Sequence, residues 1–292
     1  MTDYLDLFIA DKSTYCELVT LNYYKDDITY FINFCNNKGL KNIASIDCNL
    51  LRNYILYLRG TDISNVSIHT YYRAVKVFIR WLFDNRYIDN DYTLKIKLPK
   101  NDAKLVLPLT VREVNIIDNY FTNDNFNGIR NYCLFHLMLD CGLRRSEVIN
   151  LNFKDIKDNN IYIRLSKNNK SRIVLCPNFL KQTISNYYNS VPNKQGSILF
   201  YDRYNKNRIT DNSIRKIFSN LKHIQGVERI HPHLCRHTFA TSYAINVGNL
   251  EMLRLLLGHA DYNITQNYLH LANQQKLVNG DVYKIDDIYL LN

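Results

Sequence analysis

A chain of 292 residues has room for two ordinary domains, and 46% hydrophobic content is enough to give each a core. No apolar run reaches the roughly 18 residues a membrane-spanning helix needs, and the start Met1-Thr2-Asp3-Tyr4 is acidic where a signal peptide is basic, so neither membrane nor export is indicated and the reading is cytosolic. The net charge of +10 invites a polyanionic partner, and it is unevenly placed: residues 1–97 carry 12 Lys+Arg against 11 Asp+Glu, and the remainder 25 against 16.

In chain order, Thr14-x-x-Glu17 has the form of a capping box and opens a run with Val19, Tyr23, Ile28, Phe31 and Phe34 at helical spacing, ended by Asn37 to Gly39. Asp47 caps a second predicted helix carrying Leu51, Tyr54, Ile55 and Leu58, closed by Gly60. Ser67 precedes a third, whose wide apolar stripe of Tyr71, Tyr72, Val75, Phe78, Ile79, Leu82 and Phe83 is interleaved with Arg73, Lys76, Arg80 and Arg86. Residues 1–97 therefore read as a small helical bundle. Residues 98–109, with two prolines and no periodicity, read as an interdomain linker.

A second domain is expected over 110–292. Thr110-x-x-Glu113 supplies another capping box, and Tyr132 to Leu139 an apolar helix ending at Cys141-Gly142. The runs 161–165 and 172–175, separated by Lys167-Asn-Asn-Lys170, predict a β-hairpin. Helices follow over Asp211 to Leu221, Pro232 to Asn246, Asn249 to Leu257 and Ile264 to Leu271. The fold class is mainly α, with one small antiparallel sheet in the second domain.

Order and spacing point to chemistry more than any single residue does. Cys141-Gly-Leu-Arg-Arg-Ser-Glu-Val-Ile-Asn-Leu151 places Arg144 just after a glycine turn and Glu147 one turn on. Ser166-Lys167-Asn-Asn-Lys-Ser-Arg172 forms the hairpin tip, and His231-Pro-His-Leu-Cys-Arg-His-Thr-Phe-Ala-Thr241 puts His233 and Arg236 at i and i+3 on one helix face. Leu255-Leu-Leu-Gly-His259 and Thr265-Gln-Asn-Tyr268 close the series. The seven cysteines stand singly, with no C-x-x-C pair, so buried free thiols are expected and neither zinc nor disulfides.

With these motifs the chain resembles the tyrosine recombinase, or phage integrase, family, and its simple Xer-like members most. G-L-R-x-S-E, H-x-L-x-R-H-x-F-A-T and L-G-H followed by T-x-x-Y carry the resemblance, which runs over nearly the whole chain. It implies an N-terminal SAM-like core-binding domain, a linker, and an α+β catalytic domain that together clamp double-stranded DNA. It also implies a catalytic set of Arg144, Lys167, His233, Arg236, His259 and Tyr268, with Glu147 as a buried supporting carboxylate. Cys141 and Cys235 depart from the usual residues at positions that are not catalytic.

Each type suits a task. Two guanidiniums offer planar pairs of N–H donors to the non-bridging oxygens of a phosphodiester, which fits Arg144 and Arg236; lysine has no such fork. A tyrosine hydroxyl needs help to lose its proton, and His233 is a plausible base for Tyr268. By the resemblance, Lys167 protonates the departing 5′-oxygen and His259 hydrogen-bonds the phosphate. The covalent 3′-phosphotyrosine conserves the energy of the broken bond, so no cofactor, neither metal nor ATP, is expected. Arg73, Lys76 and Arg80 are candidate phosphate contacts.

Alternatives stand beside this. Arg144 and Glu147 could be only a helix ion pair, His231, His233 and His237 a metal cluster, and Lys170 could take the place of Lys167. A topoisomerase of the same mechanism and a catalytically silent DNA-binding protein are the rival functions. The resemblance further implies short inverted half-sites, four protomers on DNA that are monomeric when free, strand exchange through a Holliday junction, and a place at the nucleoid. The apolar tail over 282–292 would by analogy dock on a neighbouring protomer, or fold back on its own domain.

Overall fold

The structure, a computed structural model, describes residues 1–100, 106–121, 126–164, 171–192, 194, 196–202, 207–277 and 281–289. The chain forms two compact units, Met1–Leu105 and Val106–Asn292. Among the described residues no helix is long and apolar enough to cross a membrane.

The first unit packs α1 (Thr2–Ser13), α2 (Leu18–Asn37), α3 (Cys48–Arg59) and α4 (Asn65–Asp84) around Phe8, Phe31, Leu51, Tyr54, Val75, Phe78 and Leu82. Asp47 caps α3 as expected, its Oδ1 accepting the Leu50 N–H at 2.7 Å. The expected capping box at Thr14 and Glu17 does not form. Thr14 closes α1 instead, its Oγ1 donating back to the Asp11 carbonyl at 2.7 Å, and the Glu17 side chain caps nothing. The preceding helix α1 was not legible as one; it is held by Phe8, edge-on to Phe78 at 5.4 Å, and by the Trp81 Nε1–H bond to Asp11 at 3.0 Å. Helix α4 starts before Ser67, capped by Ser64. Its Arg73, Lys76 and Arg80 are all exposed, at i, i+3 and i+7 of one face.

The second unit comprises α5 (Val111–Tyr120), α6 (Phe126–Leu139), α7 (Arg145–Asn150), strands β1 (Ile156–Lys157), β2 (Asn160–Ile163) and β3 (Arg172–Leu175), and then α8 (Asn178–Ser190), α9 (Asp211–Leu221), α10 (Pro232–Asn246), α11 (Leu250–Leu257) and α12 (Tyr262–Leu277). The strands are antiparallel in the order β1-β2-β3, with Ile161 opposite Val174 and Ile163 opposite Arg172. The Thr110–Glu113 capping box is present on α5. Helix α10 runs through the middle, packed on α6, α11 and α12, which is why it is buried nearly all round.

The tail folds back onto its own unit rather than reaching outward. Tyr283 donates its backbone N–H to the Leu109 carbonyl at 2.9 Å and its hydroxyl to Asp140 at 3.0 Å, and the Ile285 N–H reaches Ser242 Oγ at 3.1 Å. Ile285 and Tyr289 are buried in the core of the unit that carries them, and residues 290–292 lie outside the described residues.

Asp140 also anchors an ionic group at the centre of this unit. His136 is buried, with Nδ1 2.6 Å from Asp140 and Nε2 2.9 Å from Asp118, so both ring nitrogens face carboxylate acceptors. Burial alone would lower its pKa, but the hydrogen bonds to Asp118 and Asp140 outweigh it and hold the imidazolium up to about 9. A pKa raised from the ordinary 6.5 means stability that is complete below that value and lost as pH climbs through 9. Calorimetry from pH 6 to 10 is expected to show a fall on the order of 2 kcal/mol in unfolding free energy between neutrality and the alkaline limb. His136→Gln, destabilised from the outset, should give a flatter profile; equal slopes would contradict the assignment.

Candidate active site

The turn after α6 sets the first arginine. Gly142 adopts φ 62°, and a Cβ there would lie 2.5 Å from Cδ1 of the fully buried Phe239 ring, so only glycine lets this turn sit on α10. Arg144 follows as the N-cap residue of α7, where the Glu147 carboxylate reaches back to accept the Arg144 backbone N–H at 2.7 Å. On α10, Pro232 occupies the first turn behind His231, whose Nδ1 accepts the Leu234 N–H at 3.2 Å; His233 and Arg236 follow on one face. Helix α11 ends at Gly258 in the left-handed conformation, His259 comes next, and α12 carries Thr265 and Tyr268.

Glu147 is the hub. Its Oε1 accepts from Arg144 Nη1 at 3.0 Å and from Arg172 Nη1 at 2.6 Å, while Oε2 accepts from Arg172 Nη2 at 2.7 Å. The side chain is 2% exposed, and hydrogen bonds and charge from Arg172 and Arg144 overcome burial and hold its pKa below the ordinary carboxylate value. The guanidiniums also meet the end of α11. Arg172 Nε donates to the Leu256 carbonyl at 2.6 Å, Arg236 Nη2 to Leu257 at 2.7 Å, Arg144 Nη2 to Gly258 at 3.2 Å and Arg254 Nη1 to His259 at 3.1 Å. Four consecutive carbonyls, running from the last turn of α11 through its C-cap to the residue after it, thus gather four arginines. Arg236 Nη1 donates to the Gly142 carbonyl at 2.6 Å, tying α10 to the first turn.

The imidazole of His259 completes this array. Arg236 Nη2 lies 3.2 Å from its Nε2 and Thr265 Oγ1 3.0 Å from its Nδ1. A guanidinium has no lone pair to offer, so Nε2 accepts and the ring proton sits on Nδ1, directed at Thr265. Burial, then Arg236, Arg144 and Arg172, push the His259 pKa down to about 4, so the ring is neutral at physiological pH. The half-buried Tyr268 ring lies between His259, nearly parallel at 6.3 Å, and His237 at 5.4 Å. Burial raises the Tyr268 pKa, opposed by the charges of Arg236 and Arg144. Desolvation and the neighbouring Arg145, Arg236 and Arg144 lower that of His233, leaving it neutral and able to accept a proton. Arg236, pushed down to about 9 by burial and then by Arg144, still carries its charge at neutral pH.

The structure therefore gathers Arg144, Glu147, Arg236, His259 and Tyr268 in one place, with His233 beside them. His233 is exposed and, among the described residues, is not bonded to Tyr268. Lys167 and its alternative Lys170 lie outside the described residues. The three neighbouring histidines do not converge as ligands: His231 caps α10, and His237 Nε2 is 2.7 Å from the Val106 carbonyl. Arg144 and Glu147 do pair, within a larger network rather than as an isolated helix ion pair. The residue that sequence reasoning passed over is Arg172. The available signal was Glu147 itself, since a carboxylate placed to be buried needs more than the partner one turn away.

Two family models match the chain: "Phage integrase family" over residues 108–275 and "Phage integrase SAM-like domain" over residues 1–98. The chain belongs to the phage integrase family. It is 30% identical over 261 residues to the tyrosine recombinase XerC of Staphylococcus epidermidis, covering 88% of each chain, and 28% identical to that of Staphylococcus haemolyticus over 262 residues, covering 88% and 87%. Its fold is similar to that of the XerH site-specific recombinase bound to a palindromic difH substrate, with TM-score 0.73, 20% identity and coverage of 92% of this chain and 82% of that one. The Tn1549 transposon integrase in complex with circular intermediate DNA is also similar, at TM-score 0.73 and 17% identity over 94% of this chain and 98% of that one.

The two turn glycines of the site differ in what surrounds them. Gly258, also at φ 62°, would bring a Cβ only to 3.3 Å from the Arg172 side chain, whereas Gly142 abuts a buried ring. In urea unfolding, Gly258→Ala should cost about 1 kcal/mol from the backbone and Gly142→Ala about 3 kcal/mol, because overpacking adds to it. Equal costs would show that the Phe239 ring yields freely.

Proposed function

We propose that this chain is a site-specific DNA recombinase that cuts and rejoins strands through a covalent bond between a 3′-phosphate and Tyr268. The observation that carries this is the pair of guanidiniums, Arg144 and Arg236, held beside a half-buried tyrosine. Arg144 and Arg172 share the one carboxylate of Glu147, and Arg236, among the described residues, bonds only to the Gly142 and Leu257 carbonyls and to His259, so the three guanidiniums carry more positive charge than Glu147 balances, a setting for a phosphodiester.

In the proposed reaction the Tyr268 phenol attacks phosphorus, its proton passing to His233, while Arg144 and Arg236 bind the non-bridging oxygens. The bond from phosphorus to the 5′-oxygen breaks, and that oxygen takes a proton from Lys167. His259, neutral at working pH, donates to the phosphate in this scheme only with its ring proton on Nε2, so that proton moves over from Nδ1 and Thr265 Oγ1 donates to Nδ1 in its place. Attack by a second 5′-hydroxyl on the phosphotyrosine reverses the step on a new strand, so bond energy is retained without ATP or metal.

Recombination breaks two duplexes. The reading therefore includes four protomers, acting in pairs on double-stranded DNA with short inverted half-sites and passing through a Holliday junction. Arg73, Lys76 and Arg80 on the exposed face of α4 are proposed as phosphate contacts. The work would be done on the chromosome, in the cytoplasm. The DNA-bound state of the XerH and Tn1549 integrase structures supports the choice of partner.

The test is a nicked suicide duplex carrying a half-site that the protein itself selects from a randomised duplex library. Wild type should form a covalent adduct that resists denaturation, and Tyr268→Phe should form none while binding with unchanged affinity; adducts on the Phe variant would remove Tyr268 as nucleophile. The wild-type adduct should also form at full rate in excess EDTA, and a loss restored by added magnesium would overturn the metal-free mechanism.

A further inference from the structure

We propose that Arg172 is a positioning residue for strand cleavage, which keeps Arg144 free for the phosphate by occupying Glu147. This rests on the recombinase reading above and adds to it a residue that does not itself meet DNA.

Arg144 and Arg172 compete for one carboxylate. An arginine and a glutamate left alone close into a bidentate pair, two parallel N–H bonds to two oxygens. Arg144 is not so closed: it gives Glu147 only Nη1 and its backbone N–H, and spends Nη2 on the Gly258 carbonyl. The bidentate position is taken by Arg172, with Nη1 at 2.6 Å from Oε1 and Nη2 at 2.7 Å from Oε2. Its side chain is 8% exposed against 24% for that of Arg144. One guanidinium is thus buried as a counter-ion, and the other is left partly open.

A second set of contacts fixes where that open guanidinium stands. Arg172 Nε holds the Leu256 carbonyl at 2.6 Å, and its Cδ and Nη1 cross the face of Gly258 so closely that a Cβ there would approach both to 3.3 Å. The next two carbonyls, Leu257 and Gly258, hold Arg236 and Arg144. Arg172 therefore braces the backbone that spaces the two phosphate-binding groups, and it does so from β3, where it pairs with Ile163 of β2. Lysine in its place would keep the charge but could satisfy one carboxylate oxygen or the carbonyl, not all three acceptors. Arg144 would then close onto Glu147 and turn away from the phosphate.

The deciding experiment compares wild type and Arg172→Lys on the self-selected nicked duplex, below the Tm of the variant. Arg172→Met leaves Glu147 without its main counter-ion and risks unfolding, so the lysine variant carries the test. Arg172→Lys should bind the duplex within about threefold of wild type, since phosphate contacts elsewhere dominate affinity, yet cleave about a hundredfold more slowly. A duplex whose bridging 5′-oxygen is replaced by sulfur, a leaving group that needs no proton, should not restore the rate. Restoration would place the defect in proton delivery and overturn the proposal, as would a lysine variant that cleaves at the wild-type rate. A wild-type chain that forms no Tyr268 adduct overturns the recombinase reading and this inference together, whereas a normal wild type beside an equally fast Arg172→Lys overturns the inference alone.

Discussion

Everything at the site leans on one buried carboxylate. Removing a charge from water costs several kcal/mol even after relaxation, and Glu147 recovers that only because both oxygens are filled by Arg172, by Arg144 and by a backbone N–H. Taking away one partner of such a group typically costs about 3 to 5 kcal/mol. In return the carboxylate does what no apolar residue can: it draws two guanidiniums to within a few ångströms of each other against their mutual repulsion.

The carbonyls at the end of α11 extend the same logic with partial charges. A helix C-terminus presents unsatisfied acceptors carrying about half a negative charge, which favours cations nearby by roughly 0.3 to 1 kcal/mol. Here that end is bonded to Arg172, Arg236 and Arg144 in succession. Burial first, and then the field of the arginines, sets the protonation of what lies beside them. His259 and His233 are kept neutral, while burial keeps the Tyr268 phenol protonated against the pull of Arg236 and Arg144. In the reaction proposed above, a phenol kept protonated in this way would stay unreactive until a phosphate and the neutral His233 engage it together.

How much of this was written locally in the chain follows from how far each contact reaches. The caps of Asp47 and Thr110 join residues three apart and were legible as motifs. Thr14 and Glu17 match the same motif, yet threonine can also bond backwards to the carbonyl three residues earlier, and with α1 in front of it that is the bond it makes. Helix α1 itself buries only Leu5 and Phe8, too few to set a period, and owes its place to Trp81 seventy residues away. At the site, Arg144, Arg236, His259 and Tyr268 stood out because their types and order are distinctive. Arg172 did not: its partners are Glu147, 25 residues away, and a backbone carbonyl at Leu256, 84 residues away, and neither spacing leaves a periodic trace.

The acceptors that arrange the guanidiniums are mostly backbone carbonyls of residues 256 to 259, and a carbonyl is present whatever side chain stands at its residue. Gly258 is constrained there by its left-handed φ and by the Arg172 side chain lying across it, His259 by its bonds to Arg236 and Thr265, and Leu256 and Leu257 only by having to be apolar. The donors are constrained far more tightly, because a fork of planar N–H groups is what bridges a carbonyl and a carboxylate, or a carbonyl and a phosphate, at once. Leu255 and Met252 on the same helix are exposed and free of this geometry. Strict identity at a few arginines, one glutamate and two glycines, Gly142 and Gly258, set among positions that need only to be apolar, is therefore what this architecture demands, and it accounts for motifs that are short, widely separated and jointly specific.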